Sequence, residues 1–116
     1  MARLRSDFWV AAHLRRSALE GIDAVLRRRG SPEAGAIFVT VDRLDGHVDL
    51  YGPAPQSALT GDELDRLFAP VLLGSAPPDI EARMLREIRF DPDLWWISVD
   101  DRAGRSGLQL ASETPG

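Results

Sequence analysis

Residues 94–99 read Leu-Trp-Trp-Ile-Ser-Val, and no other stretch constrains the fold as much. The run is dense in residues that suit a pleated, half-buried backbone, which makes it a strand. Side chains alternate along a strand, so Trp95, Ile97 and Val99 face one side while Leu94 and Trp96 face the other. Only one of those sides can be the core of a sheet that is covered on a single face. Trp96 and Leu94 then need cover from a helix, from the C-terminal residues or from another molecule. A bare indole beside a leucine is an apolar patch, and tryptophan is enriched where partners bind.

The rest of the chain supplies the other layers. Phe8, Ala11, Ala12, Ala18 and Leu19 recur at helical spacing, with Ser6 placed to cap and Gly21 to stop a helix over about residues 7–20. From Ile22 the period changes to two, and a strand runs to Gly30. Residues Gly30-Ser31-Pro32-Glu33-Ala34-Gly35 form a turn by composition. Ala36 to Val41 reads as a buried strand, and Asp45-Gly46 marks a hairpin leading to Val48, Leu50 and Tyr51 before Gly52-Pro53 ends it. These three strands are expected in antiparallel succession.

Residues 53–61 form a loop. The segment 64–73 admits a helix, with Thr60 to Glu63 as a capping box, or a strand returning beside the third, which is the preferred reading. Pro77-Pro78 open a helix over about 78–89 with Ile80, Met84, Leu85 and Ile88 on its apolar stripe. Asp79 and Arg83 are spaced for an ion pair along it. The expectation is a single α+β domain over residues 1–116: an antiparallel sheet of about five strands with both helices packed on one face. Residues 102–116 are expected to fray unless Leu108 and Leu110 dock.

Composition narrows the function classes. The 116 residues include no Cys, which excludes disulfides, thiol nucleophiles and Cys-ligated zinc and suits a reducing cytoplasm. No Lys is present, so Schiff-base chemistry, a Ser–Lys dyad and a P-loop are absent. There is no signal-peptide pattern at the start, and no apolar run approaches the ~20 residues of a membrane span. The formal net charge of −4 disfavours general affinity for nucleic acid. It is unevenly spread: residues 1–50 carry eight Arg against seven acids, and residues 51–116 six against eleven.

The stretches Arg28-Arg29-Gly30-Ser31-Pro32-Glu33-Ala34-Gly35-Ala36-Ile37 and Phe90-Asp91-Pro92-Asp93-Leu94-Trp95-Trp96, with Ser6-Asp7-Phe8-Trp9-Val10, resemble the bacterial domain-of-unknown-function family 1491. The likeness runs over nearly the whole chain and is weakest from Gly52 to Pro78. The resemblance implies a stand-alone bacterial cytoplasmic protein, and it carries over no activity and no functional residue.

Candidate chemistry is sparse. His47 and Asp49 lie two apart and could share a metal on one strand face, but no motif supplies further ligands, so no metal site is assigned. Asp91 and Asp93 lie at one end of the last strand and Asp100 and Asp101 at the other. At ~3.3 Å per residue they are roughly 20 Å apart and cannot act together. Arg15, Arg16, Arg27, Arg28 and Arg29 could form an anion-binding patch, with Arg27 and Arg29 on one strand face and Arg28 on the other. Acidic neighbours Glu20, Asp23 and Glu33 could equally neutralise them. Trp9 falls beside His13 and Arg16, off the apolar stripe.

No catalytic residue and no cofactor are assigned. The leading expectation is a non-enzymatic interaction or regulatory module, homodimeric or bound to a protein partner, acting through Trp96, Leu94, Trp9, Arg15, Arg16, Arg28 and Arg43. The alternatives are a protein that binds a small molecule or phosphate, or is a weak hydrolase, through Arg28, Arg43 and Asp91, and, ranked last, an RNA-binding module.

Overall fold

The computed structural model describes residues 4–55 and 66–111. Its elements run α1 (Ser6–Leu19), β1 (Asp23–Arg28), β2 (Ile37–Asp42), β3 (Val48–Pro53), β4 (Phe68–Ser75), α2 (Pro77–Phe90) and β5 (Trp95–Asp100). Among the described residues the five strands form one sheet in the order β1-β5-β2-β3-β4. The class is α+β, as expected, and the strand preferred over residues 64–73 is β4 from Phe68 onward. Most of the loop at 53–61, the start of the 64–73 segment and residues 112–116 lie outside the described residues. No described helix is long and apolar enough to cross a membrane.

Three features of the sheet correct the expected arrangement. First, β5 pairs parallel with β2, Ile37 opposite Trp95 through Asp42 opposite Asp100, so the sheet is mixed. Second, β1 pairs with β5, which separates it from β2, and only β2, β3 and β4 follow one another as antiparallel neighbours. A parallel pair requires a crossover connection, and α2 provides it by carrying the chain from the edge strand β4 back over the sheet to β5.

Third, the two helices cover opposite faces. Val10 of α1 packs with Ile37, Val39, Val41, Trp95, Ile97 and Val99. Ile80 and Met84 of α2 pack with Phe38, Val48, Leu50, Leu94 and Trp96. The alternation of β2 and β5 therefore feeds two cores, and both strands are buried along nearly their whole length. The cover that Trp96 and Leu94 require comes from within the chain, and they are 5% and 0% exposed.

Trp96 is held as well as covered. Its indole Nε1 donates to Thr40 Oγ1 at 3.1 Å, which satisfies its buried polar atom. The guanidinium of Arg27 lies 3.8 Å from the ring centroid and makes two hydrogen bonds, of 2.7 and 2.8 Å, to Glu81 of α2. Arg27 reaches this face by ordinary alternation, since Asp23 and Val25 pair with Asp100 and Ser98 on the Trp96 side of β5. The register shift between Leu26 and Arg28 is a bulge that then breaks the alternation: Arg27 sits on Trp96 on the α2 side, while Arg29 sits over Trp95, a residue of the α1-side core. The two arginines do not share a face.

Two glycines admit the last strand. A Cβ on Gly30 would lie 2.3 Å from the Asp93 carbonyl oxygen, and one on Gly35 2.4 Å from the same atom. The Gly30–Gly35 turn thus wraps the entry to β5, and Ser31 N donates to Asp93 O while Trp95 Nε1 donates to Ser31 O.

Candidate functional site

Helix α1 buries an unexpected stripe. The expected apolar residues Phe8, Ala11, Ala12, Ala18 and Leu19 are exposed, Leu19 at 83%, and the buried positions are Ser6, Val10, His13 and Ser17. Two of these polar residues find partners from far along the chain. Ser6 does not cap the helix; its hydroxyl donates to Gly35 O at 2.7 Å and accepts from Arg66 Nη2 at 2.9 Å. His13 Nε2 donates to Ser106 O at 3.0 Å, which fixes the tautomer and leaves Nδ1 as a buried acceptor without a partner. Burial holds the His13 imidazole below its usual range, so it is neutral near pH 7.

The segment after β5 makes this possible. Asp101 binds Arg105 side chain and backbone, closing a turn, and Gly107 adopts φ +71°. Phe68 N then donates to Gln109 O and Ala111 N to Phe68 O, both at 2.9 Å, so the chain docks beside β4. Leu108 packs on the α1-side core. Leu108 therefore docks, while residues 109–111 are held by backbone bonds to Phe68 and Leu110 stays 47% exposed.

Between α1 and this segment lies a cleft of about 290 Å³ lined by Trp9, Arg16, Arg66, Gly107, Leu108 and Gln109. Trp9 stacks on His13 with centroids 4.9 Å apart and planes 12° from parallel, and it leans on Phe68 at 5.2 Å. Arg16 Nη2 donates to Gly107 O at 3.3 Å. Arg66 Nη2 also donates to Leu4 O at 3.1 Å. The cleft thus joins an indole, two guanidinium groups and a run of backbone. Its chemistry suits a carboxylate or phosphate: guanidinium donors match planar oxyanions, and the indole offers an apolar wall.

The profile of a family described as "Protein of unknown function (DUF1491)" matches residues 4–109. The chain belongs to the DUF1491 family. A DUF1491 crystal structure from Caulobacter crescentus CB15 shares 34% identity and a TM-score of 0.78, covering 97% of this chain and 100% of that one. The solution structure of an A. tumefaciens protein shares 36% identity and a TM-score of 0.81, covering 99% and 100%. No curated protein matches the chain.

This DUF1491 protein brings only part of the expected site together. Trp9 and Arg16 meet in the cleft, and Arg15 is exposed on the same helix. Trp96 and Leu94 are buried and offer no contact surface. Arg43 donates to Asp49 at 2.7 Å, in an ion pair that also takes Gly74 N, so Asp49 is not free for a metal. His47 turns to Asp45 at 3.2 Å. Among the described residues no cluster of three metal-ligating side chains occurs.

Arg28 donates to Pro92 O at 2.8 Å and does not line the cleft that holds Arg16. Arg83 pairs with Glu87 in place of Asp79. The arginines are distributed over the molecule and form no single patch. Arg66 and the 107–109 segment were not singled out from the sequence; their signal, Gly104 and Gly107 flanking Arg105-Ser106, reads only as a turn.

Proposed function

We propose that this protein is a non-enzymatic binding module of the bacterial cytoplasm that holds a small carboxylate or phosphate ligand in the Trp9–Arg16–Arg66 cleft. The observation that carries this is the meeting of the Arg16 guanidinium and the Trp9 indole on one recess, beside Arg66 and the backbone of residues 107–109. Arg16 has no carboxylate within salt-bridge distance among the described residues, so its charge is available to an anion. The described lining contains no acid and no nucleophile, which supports binding over chemistry. The absence of Cys and the bacterial sources of the relatives support the compartment. The scatter of arginines over both faces favours a small anion over an RNA backbone.

The test is an NMR titration of the full chain with a panel of phosphates and carboxylates. Shifts confined to Trp9, Arg16 and residues 106–109 are expected. Arg16→Gln should weaken affinity roughly tenfold to a hundredfold, the worth of a charge-assisted hydrogen bond. No shift at millimolar ligand, or affinity indifferent to Arg16→Gln, overturns the reading.

A further inference from the structure

The two edges of the sheet differ. The β4 edge carries Pro70 within the strand and is met by residues 109–111, which hydrogen-bond to Phe68. The β1 edge has no neighbour among the described residues, and its central residues Val25 and Leu26 are 54% and 36% exposed. A strand edge of this kind is a template for a further strand.

The sequence of β1, Asp-Ala-Val-Leu-Arg-Arg, says which strand fits. Two copies pair antiparallel about a two-fold axis only if each residue meets one on the same sheet face, and residues on one face differ by an even number. With Val25 on the axis, Val25 faces its own copy, Ala24 faces Leu26, and Asp23 faces Arg27 with Arg28 beside it. Asp23 has no ion-pair partner among the described residues. Self-pairing sets it against Arg27 twice, once on each side of the axis, and extends the Arg27–Glu81 pair into a network.

We infer that β1 is a self-association edge, through which two copies of this chain join into one continuous sheet centred on Val25. The docked partner is a second copy because the strand is complementary in charge to itself when reversed, and apolar at its centre. The pairing also leaves the anion cleft untouched, since Trp9 and Arg16 do not lie on β1.

Sedimentation equilibrium of the full chain over micromolar to millimolar concentration tests this. The mass is expected to rise from 12.8 kDa towards twice that value. Val25→Lys, which sets like charges directly opposite each other across the axis, should return the protein to 12.8 kDa at every concentration. Asp23→Arg should also dissociate it by setting like charge against Arg27. Circular dichroism confirms that each variant is folded, and the two positions test the edge independently if one variant is not. A wild-type chain that stays monomeric at millimolar concentration, or a dimer that Val25→Lys leaves intact, overturns the inference.

Discussion

His13 lies under the Trp9 ring on the buried side of α1, where an imidazole keeps its proton only at Nε2 for Ser106 O. Its folded pKa is below the unfolded value near 6.5, because burial disfavours the imidazolium. The unfolded chain therefore takes up a proton first as pH falls. Stability from this site is complete above pH 6.5 and declines below it, by at most about 1.4 kcal/mol per pH unit. Urea unfolding between pH 7 and pH 5 should show this slope, and His13→Gln, which keeps a donor for Ser106 O, should flatten it. An unchanged slope in the variant would place the acid sensitivity elsewhere. This residue also shows why α1 was hard to read. Ser6 and His13 are polar in sequence and buried in structure, since their partners Gly35 and Ser106 lie 29 and 93 residues away. No helical periodicity reports a hydrogen bond of that span, whereas the alanines that carried the expected stripe are small enough to face water at little cost.

At the level of strands, β5 sets an acidic row. Asp100 lies directly opposite Asp23 on one side and Asp42 on the other. Burial first, then the charges of Asp42 and Asp23, raises its pKa above the usual carboxylate value. The folded state holds this proton more tightly, so the penalty exists above the folded pKa and is relieved as pH falls through it. Asp100→Asn should therefore stabilise the protein at pH 7 by about 0.2–0.5 kcal/mol after solvent screening, a gain that vanishes in acid. Melting points of the two proteins at pH 7 and below pH 4 compare directly, and equal melting points at pH 7 would show the row to be harmless. The sequence did carry the deeper lesson of β5. Ile37-Phe38-Val39-Thr40-Val41 and Leu94-Trp95-Trp96-Ile97-Ser98-Val99 are apolar on both faces, and such runs belong to adjacent, parallel, doubly covered strands. The hairpin at Asp45-Gly46 and the strand at Phe68 were readable because their signals are local. Pairing of β1 with β5 was not, since nothing short-range distinguishes it from pairing with β2, and the bulge at Arg27 shifts side chains without marking the sequence.

Across the whole molecule, residues 105–111 tie α1 to β4 and complete the cleft. They supply the acceptor for His13, two backbone bonds to Phe68 and the packing of Leu108. A chain ended after Arg102 should lose several kcal/mol of stability, about 1 for each missing hydrogen bond and more for the stranded imidazole. It should also lose anion affinity altogether. Denaturant unfolding of the shortened chain checks the first effect, and an unaltered midpoint would show the segment to be an ornament on a self-sufficient sheet. The candidate site was legible in the sequence only at Trp9 and Arg16, because its other half arrives from a segment with no pattern of its own. One consequence of the strand order concerns how the protein is made. The first strand to leave the ribosome, β1, has as its only described neighbour the last one, β5. Until residue 100 has emerged, α1 and β1 wait on a nascent chain without a sheet to join, while β2, β3 and β4 can already zip together. Completion of the sheet thus waits for β5, which enters a slot between two strands made long before it.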